Sequence, residues 1–338
     1  MKKTILLTGG LGFVGSVTAH VLHALGYQIV IVDKSVHHQP CAMPWAHVFK
    51  GDMCNRVVLT SIFAQYDFVA VMHFAGLIEV GQSVIHPDSF YTNNLIGTLT
   101  LLDVMHEYQV PHIIFSSSCA VYGIPQYVPL DENHPCDPIN PYGRTKHAIE
   151  YALKDYASAF DMKFVILRYF NAAGATLEYG LGECHNPESH VIPLLLRAAH
   201  HGVSFSIYGA DYATCDGTCV RDYVHVHDIA RAHVQALEYQ MRGGNSEICN
   251  LGTGKGYSIY ELIDAVQRVS GCSVATKIVA RREGDVATLV ANAAKARSVL
   301  HWQSERSDLD TIVRDAWMWE QQRAKIADES SLLSVCSQ

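Results

Sequence analysis

Within its 338 residues the chain has no apolar run near the roughly 20 residues needed to cross a bilayer. That absence excludes the membrane-spanning classes. The opening run Ile5-Leu6-Leu7 follows two lysines and starts like a secretory leader. It stops at Thr8-Gly9-Gly10, far short of an apolar core plus cleavage site. It reads as a buried strand, and a cytoplasmic location is expected. Positive charge is also scarce, 25 Lys and Arg against 33 Asp and Glu for a formal net charge of -8. No global field draws such a chain to nucleic acid or to an anionic membrane, so an anionic substrate would have to be met by local arginines. The ten cysteines lack pairing. The spacing from Cys215 to Cys219 has no second half-site, so reduced thiols are expected rather than zinc. Histidines number 19, but His37-His38, His200-His201 and His225-x-His227 lack partners at metal-ligand spacing, and no metal is expected.

Repeats and low-complexity tracts are absent too. What is present can fill a core: 49% of residues are hydrophobic and only 17% charged, which argues against disorder. The length exceeds the usual limit of about 250–300 residues for one core, so a large and a smaller domain are expected.

In the first half, short β-rich runs alternate with helical stretches. Strands are expected at 5–8, 28–33, 47–51, 68–74, 112–116 and 164–168, and helices at 16–25, 56–65, 89–107 and 146–160. This alternation predicts an α/β fold with a doubly wound parallel sheet of Rossmann type, helices on both faces. After Asn171 the pattern changes. A long loop is expected at 174–187, a polar loop at 211–220, and strands at 204–208, 224–227, 248–251 and 276–280. Helices are expected at 192–202, 228–240, 258–270 with Ser258 as N-cap, and 292–300. Beyond about Gln322 the apolar period is lost, and the tail is expected to be loosely held.

Thr8-Gly9-Gly10-Leu11-Gly12-Phe13-Val14-Gly15 lies between the first strand and the first helix. Gly9, Gly12 and Gly15 permit a tight turn, close backbone approach to a pyrophosphate and close helix–strand packing, with the helix N-terminus aimed at the phosphates. Glycines serving packing alone are the other reading. Asp33 ends the second strand, where a carboxylate accepts from a ribose 2′-hydroxyl and repels a 2′-phosphate. That favours NAD over NADP, against the neighbouring Lys34. Asp52, after the third strand, is placed either for an adenine amino group or as an ordinary loop-starting residue.

Ser116-Ser117-Ser118 ends a strand, at the edge where doubly wound sheets bind ligands. Tyr142 and Lys146 are four apart and share one face of a helix. An ammonium beside a phenol favours the phenolate and lowers its pKa from about 10. A phenolate can take the proton of a substrate hydroxyl while hydride leaves the same carbon for a nicotinamide, with Ser118 holding that hydroxyl in line. A Tyr-x-x-x-Lys spacing alone is common by chance; the glycine loop and the strand-end serine give it weight.

With the glycine loop, Ser118 and Tyr142-x-x-x-Lys146 in place, the chain resembles the extended short-chain dehydrogenase/reductase family over almost its whole length. Within it, the chain is similar to the 4-epimerases of UDP-hexoses. The stretches that carry this are His73–Gly76, Asn93–Thr98, Leu167–Asn171, Asp216–Val226, Asn250–Gly254 and Arg281–Asp285. The resemblance implies an isomerase that interconverts UDP-glucose and UDP-galactose at C4. Hydride passes to tightly bound NAD and back through a 4-keto sugar, with Tyr142, Lys146 and Ser118 as catalytic residues. It implies that Gly9, Gly12, Phe13, Val14, Gly15, Asp33, Asp52, Met53, Phe74, Ala75, Gly76, Asn93, Ser118, Tyr142, Lys146 and Phe170 line the NAD site. It implies that Ser118, Tyr142, Asn171, His190, Val191, Ser206, Ile207, Tyr208, Arg221, Arg282 and Asp285 hold the UDP-sugar, with no metal. The chemistry agrees: Arg221 and Arg282 suit a diphosphate, Tyr208 offers an aromatic face and Asp285 can take ribose hydroxyls. Taken singly, each arginine reads as a solvated surface charge.

The implied organisation is a dinucleotide-binding domain over 1–173, with 221–251 returning to it, and a smaller C-terminal α/β domain over 174–338 for the UDP-sugar. A homodimer is implied. The chain departs from the family at Ile78, where many members carry lysine, at Cys119, and at Leu289, where some carry a bulky tyrosine. Leu289 leaves room for an acetamido group, so a UDP-N-acetylhexosamine or a UDP-pentose is the alternative substrate. Dehydratases of the family place an Asp-Glu pair where Cys119-Ala120 stand, which argues against dehydration. A regulator that senses NAD without chemistry would be expected to lose Tyr142, Lys146 or the arginines, and all are present.

Overall fold

The computed structural model describes residues 2–34, 43–185, 187–282 and 284–335, so the pair His37-His38 lies outside the described residues. Strands β1 (Thr4–Thr8), β2 (Gln28–Asp33), β3 (His47–Lys50), β4 (Phe68–His73), β5 (His112–Ser118) and β6 (Lys163–Tyr169) form one parallel sheet. After three short strands, β7 (Asn171–Ala173), β8 (Ala175–Thr176) and β9 (Leu181–Gly182), come β10 (Phe205–Tyr208) and β11 (Val220–His225). The chain then returns to the sheet as β12 (Glu247–Leu251), parallel to β6. The sheet order is β12-β6-β5-β4-β1-β2-β3. The reversal of direction between β1 and β4 is the switch point at which such sheets open a crevice for ligands.

Strand alternation builds the two faces. Ile5 and Leu7 pack with α1 (Phe13–Ala24) on one side, while Leu6 joins the core under α2 (Arg56–Phe63) on the other. After α2 come α3 (Val80–Ile85) and α4 (Pro87–Phe90). The helix expected over 89–107 is not continuous: Tyr91–Ile96 is π-helical and only Gly97–Glu107 (α5) is regular. The cause is Asn94. Its side chain is buried, accepting from Leu77 N at 2.8 Å and donating to Leu77 O at 3.0 Å and Thr145 Oγ1 at 3.3 Å. That pull distorts the helical ladder, as local π segments do at functional sites.

Helix α6 (Pro141–Ala159) begins five residues before the expected start. Asn140 caps it, accepting from Gly143 N at 2.8 Å, and Pro141 takes the first turn, where a missing N–H costs nothing.

The second half has its own core, built by α7 (Val191–His201), α9 (Ile259–Ser270) and α11 (Leu309–Val335). Helix α8 (Val226–Met241) packs instead on α1 and the main sheet. The expected cap of α9 is a full capping box, Ser258 Oγ accepting from Glu261 N at 3.2 Å while Glu261 accepts from Ser258 N at 2.7 Å. Strand β13 (Gly256–Ser258) pairs antiparallel with β11, and β14 (Thr276–Val279) lies parallel to β10. Strand β15 (Thr288–Leu289) pairs with β11, and α10 (Ala294–Leu300) follows. Two expectations are corrected. The stretch 174–187 contains the β8–β9 hairpin, and the tail continues as helix to Val335. Among the described residues no helix is long and apolar enough to cross a membrane.

Candidate active site

The loop from β1 to α1 is held by backbone contacts. Gly9 has φ +67°, and a Cβ there would stand 2.6 Å from Ala75 N; Gly15 lies against the Gly9 and Gly10 backbone. Gly12 is different. A Cβ there would meet only Gly9 O, at 3.3 Å, so its outer side opens at the N-terminus of α1. No side chain caps that terminus and no acidic residue occupies its first turn, so its N–H groups are available to an anion. Asp33 Oδ2 accepts from Leu11 N at 3.0 Å, which fixes the carboxylate at the end of β2 beside this opening. Lys34 Nζ bridges Asp52, at 3.0 Å, and Asn93 Oδ1, at 2.7 Å. Burial of Asp52 is outweighed by the bonds from Cys54 N and Lys34, and its pKa is lowered. Met53 is buried directly under Gly97. An open glycine at a helix N-terminus, with a carboxylate ending the next strand, fits a dinucleotide's pyrophosphate and ribose.

From there a track of contacts leads along the strand ends. Ala75 lies on Gly9, and Gly76 lies beside Lys146 Nζ and Asn94. Phe74 packs its ring 4.7 Å from that of His233. Tyr142 and Lys146 share one face of α6, both buried, with Lys146 Nζ 5.9 Å from the Tyr142 ring centre. Ser118 ends β5 and accepts from Ala120 N at 3.2 Å. Burial drives the Tyr142 pKa upward, helped by Tyr169, and a hydrogen bond from Ser118 opposes it. The expected lowering by Lys146 is therefore absent in the protein alone, because desolvation of the phenolate dominates. The ammonium itself donates to Ser116 O at 2.8 Å, and burial lowers Lys146 to about 8 against the opposing field of Glu150. Burial pushes the Cys119 thiol up to about 12, which suits a packing role. Cys119 and buried Phe170 belong to one apolar cluster, with Leu289 packed against it.

The residues of the second half fall into four groups. Arg221 Nη1 donates to Val286 O at 2.8 Å, and Nη2 lies 3.6 Å from Asp285 Oδ1. Arg282 stacks over Tyr208, 4.6 Å from the ring centre, on β10 with Ser206 and Ile207. His190 precedes Val191 at the start of α7. Asn171 opens β7 and pairs with Tyr223. Ile78 is partly exposed. His225-x-His227 is a helix cap, His225 Nδ1 accepting from His227 N at 3.1 Å. His200 and His201 contact each other, and His200 also contacts Trp317.

Pairwise spacing of histidines did not reveal one cluster. Glu183, His185, Glu188 and His190 bring their ligand atoms within 4.8 Å of one another. His190 Nδ1 lies 2.6 Å from Glu183 Oε1 and 3.2 Å from Glu188 Oε1, and Arg197 approaches Glu188 at 3.6 Å. An alternation of acids and histidines over eight residues was the available signal. Burial opposes the charged imidazole, but Glu183 and Glu188 outweigh it and raise His190 to about 10. The same bonds hold Glu188 down at about 2. The cluster is thus neutralised from within, by a proton on His190 and by Arg197.

Comparison with known proteins identifies the family. The profile of the NAD-dependent epimerase/dehydratase family matches residues 5–252. The chain belongs to this family. A UDP-glucose 4-epimerase of Rhizobium leguminosarum bv. trifolii is 48% identical over 318 residues, which is 94% of this chain and 97% of the relative. The structure of a UDP-glucose 4-epimerase from Brucella ovis in complex with NAD superposes with a TM-score of 0.89 at 44% identity, covering 93% of this chain and 97% of that one. One from Bifidobacterium longum, in complex with NAD+ and UDP, gives 0.89 at 36% identity over 95% and 98%.

His190 should stay protonated across the neutral range. Its folded pKa is raised, so its contribution to stability is complete below about 6.5 and is lost as pH rises toward about 10. Glu188, with its pKa depressed, contributes above about 4.5 and loses that contribution as pH falls toward about 2. Histidine NMR resonances followed from pH 5.5 to 8.5 are expected to show His190 without a titration step; a midpoint near 6.5 would contradict the cluster.

Proposed function

We propose that this protein is a UDP-glucose 4-epimerase, reversibly inverting C4 of UDP-glucose and UDP-galactose. The observation that carries the reading is the single contact track from the open glycine loop through Gly76 and Lys146 to Tyr142 and Ser118. Gly9, Gly12, Phe13, Val14, Gly15, Asp33, Asp52, Met53, Phe74, Ala75, Gly76, Asn93 and Phe170 would hold NAD. When bound, NAD would supply the acceptor and the donor of hydride for the sugar carbon. Residues 1–173, with 221–251, serve the dinucleotide, and 174–338 the UDP-sugar.

Tyr142 takes the proton of the sugar 4-hydroxyl and later gives it back. Ser118, at the end of β5 beside Tyr142, holds that hydroxyl in line. A buried phenol does not ionise readily. The Lys146 ammonium and the cationic oxidised nicotinamide supply the positive charge that offsets the cost of burial. Arg221 and Arg282 grip the diphosphate, His190 and Val191 meet it at the start of α7, and Ser206, Ile207 and Tyr208 receive the uracil. Asp285 takes ribose hydroxyls, and Asn171 the sugar. The purified protein is expected to convert UDP-galactose to UDP-glucose without added reductant. Tyr142→Phe is expected to lower kcat about 100- to 10,000-fold; retention of the full rate would rule the mechanism out.

One observation favours a broader substrate range. Leu289 packs against the apolar cluster that contains Cys119 and Phe170, and a leucine there is smaller than a tyrosine. Partial turnover of UDP-N-acetylglucosamine is expected, with Leu289→Tyr lowering the acetylated-to-plain activity ratio about tenfold or more. No turnover of the acetylated sugar at all would sink this extension.

A second copy of the chain is the proposed partner. Helix α3, the π segment and α6 pack on one another and expose Val84, Ile85, Tyr91, Ile96 and Tyr151. Apolar side chains gathered on neighbouring helices mark an interface. Sedimentation velocity is expected to give a dimer, which Ile85→Glu with Tyr151→Glu converts to monomer; a monomer at the outset would exclude it. The free cysteines among the described residues agree with the cytoplasm as its location.

A further inference from the structure

Helix α6 carries one more charged side chain on the stripe of Tyr142 and Lys146. Glu150 lies one turn beyond Lys146 and has no exposed surface. It accepts from Ser117 Oγ at 2.6 Å, from Arg168 Nε at 2.9 Å and from Arg168 Nη2 at 2.5 Å. Arg168 Nη1 in turn donates to the Tyr122 hydroxyl at 3.0 Å, and that hydroxyl donates to Asn250 Oδ1 at 2.6 Å. The carboxylate is thus fixed against β5, β6 and β12 at once. Its partner Ser117 is the residue before Ser118, and Glu150 itself lies one turn from Lys146.

Replacing a buried ion pair by well-packed apolar residues is often neutral or stabilising. Stability alone therefore does not account for placing this one under the reacting groups. Among the described residues no carboxylate forms an ion pair with Lys146 Nζ, whose hydrogen bond goes to Ser116 O. The Phe115 ring lies 4.8 Å from the ammonium. His73 also faces it, but is held between the Thr8 and Thr98 hydroxyls and pushed down to about 3 by burial, so it is neutral. Tyr142 and Tyr169 are neutral phenols, raised by burial. The negative charge acting on Lys146 is that of Glu150.

We propose that Glu150 is a positioning residue for this site, fixing the end of β5 and keeping the Lys146 ammonium charged beside Tyr142. The inference rests on the roles given above to Tyr142 and Lys146. Its logic has a definite sign. Burial alone drags the Lys146 pKa downward, and Glu150 opposes that fall. An amine carries charge below its pKa. Without Glu150 the ammonium loses its proton at lower pH, and Tyr142 then loses its cationic neighbour.

The test is the pH profile of kcat for UDP-galactose in Glu150→Gln and Glu150→Asp. Glu150→Gln is expected to move the alkaline fall toward lower pH by about half a unit or more and to lower kcat at pH 8 about tenfold. Glu150→Asp is expected to restore part of both. The double variant Glu150→Gln/Arg168→Met leaves no unpaired charge in the core and carries the same readouts should the single one fail to fold. A kcat lowered equally at every pH, with the alkaline limb unmoved in a folded variant, overturns the proposal. Full activity of Tyr142→Phe would instead remove the underlying reading of the site.

Discussion

A parallel sheet buried on both faces leaves little room for polar chemistry. In β1, β4, β5 and β6 almost every residue is enclosed between helices, and the interior backbone groups are bonded to neighbouring strands. Polar side chains find space mainly where the strands end and the helices begin. That constraint fixes the address of the site before any residue in it is chosen. The glycine loop after β1, Phe74–Gly76 after β4, Ser118 at the end of β5 and Phe170 after β6 follow each other along one edge. Sheet order makes them neighbours although nearly 160 residues separate the first from the last.

The exception to the rule shows how strict it is. Ser116, Ser117, Glu150 and Arg168 place polar groups inside the sheet–helix layer, and each has a partner. Ser116 uses its hydroxyl on His233 and its carbonyl on Lys146. Breaking such a buried pair costs about 3–5 kcal/mol, because one charge is left uncompensated in a dry environment. The layer beneath the site is therefore a rigid, fully bonded platform, and the chemistry above it inherits that rigidity. The same holds on the sugar side, where Asn250 Nδ2 donates to Leu130 O at 3.0 Å and Leu130 N bonds Val290 O, next to Leu289.

Local patterns carried much of this into the sequence. A glycine triplet between a strand and a helix, or a tyrosine and a lysine four apart, has a geometry fixed by backbone periods alone. Such features were legible, as were the strands of the main sheet and the Ser258 cap; the strand expected at 224–227 instead spans Val220–His225, and the short strands β7, β8, β9, β13 and β15 were missed. The features that were not legible are set by tertiary contact. Asn94 makes a π segment because Leu77 and Thr145 lie across from it, and nothing within 91–96 announces that. Nothing in the sequence marks Glu150 and Arg168 as a buried pair, since charged residues are seldom fully buried. The acid–histidine cluster at 183–190 escaped because its four residues meet only when the chain folds back between β9 and α7. Helix α11 escaped where its apolar period fades.

The disagreement over Tyr142 is instructive in physical terms. Spacing alone puts an ammonium near a phenol and suggests a lowered pKa. The folded protein instead buries the phenol, and desolvation prevails over a cation whose nitrogen is 5.9 Å from the ring centre. Lys146 is itself weakened by burial, so the two groups of the pair are both held toward neutrality. Burial thus disfavours the charged form of both groups. Adding one positive charge beside them favours the phenolate, and removing it restores the phenol. An oxidised nicotinamide carries that charge and a reduced one does not. The proton affinity of Tyr142 would then follow the redox state of the cofactor, with a proton taken when hydride leaves the sugar and released when it returns. Burial of the phenol, which at first looks like an obstacle to catalysis, is what makes such coupling possible, since in water the same charge would be screened to insignificance.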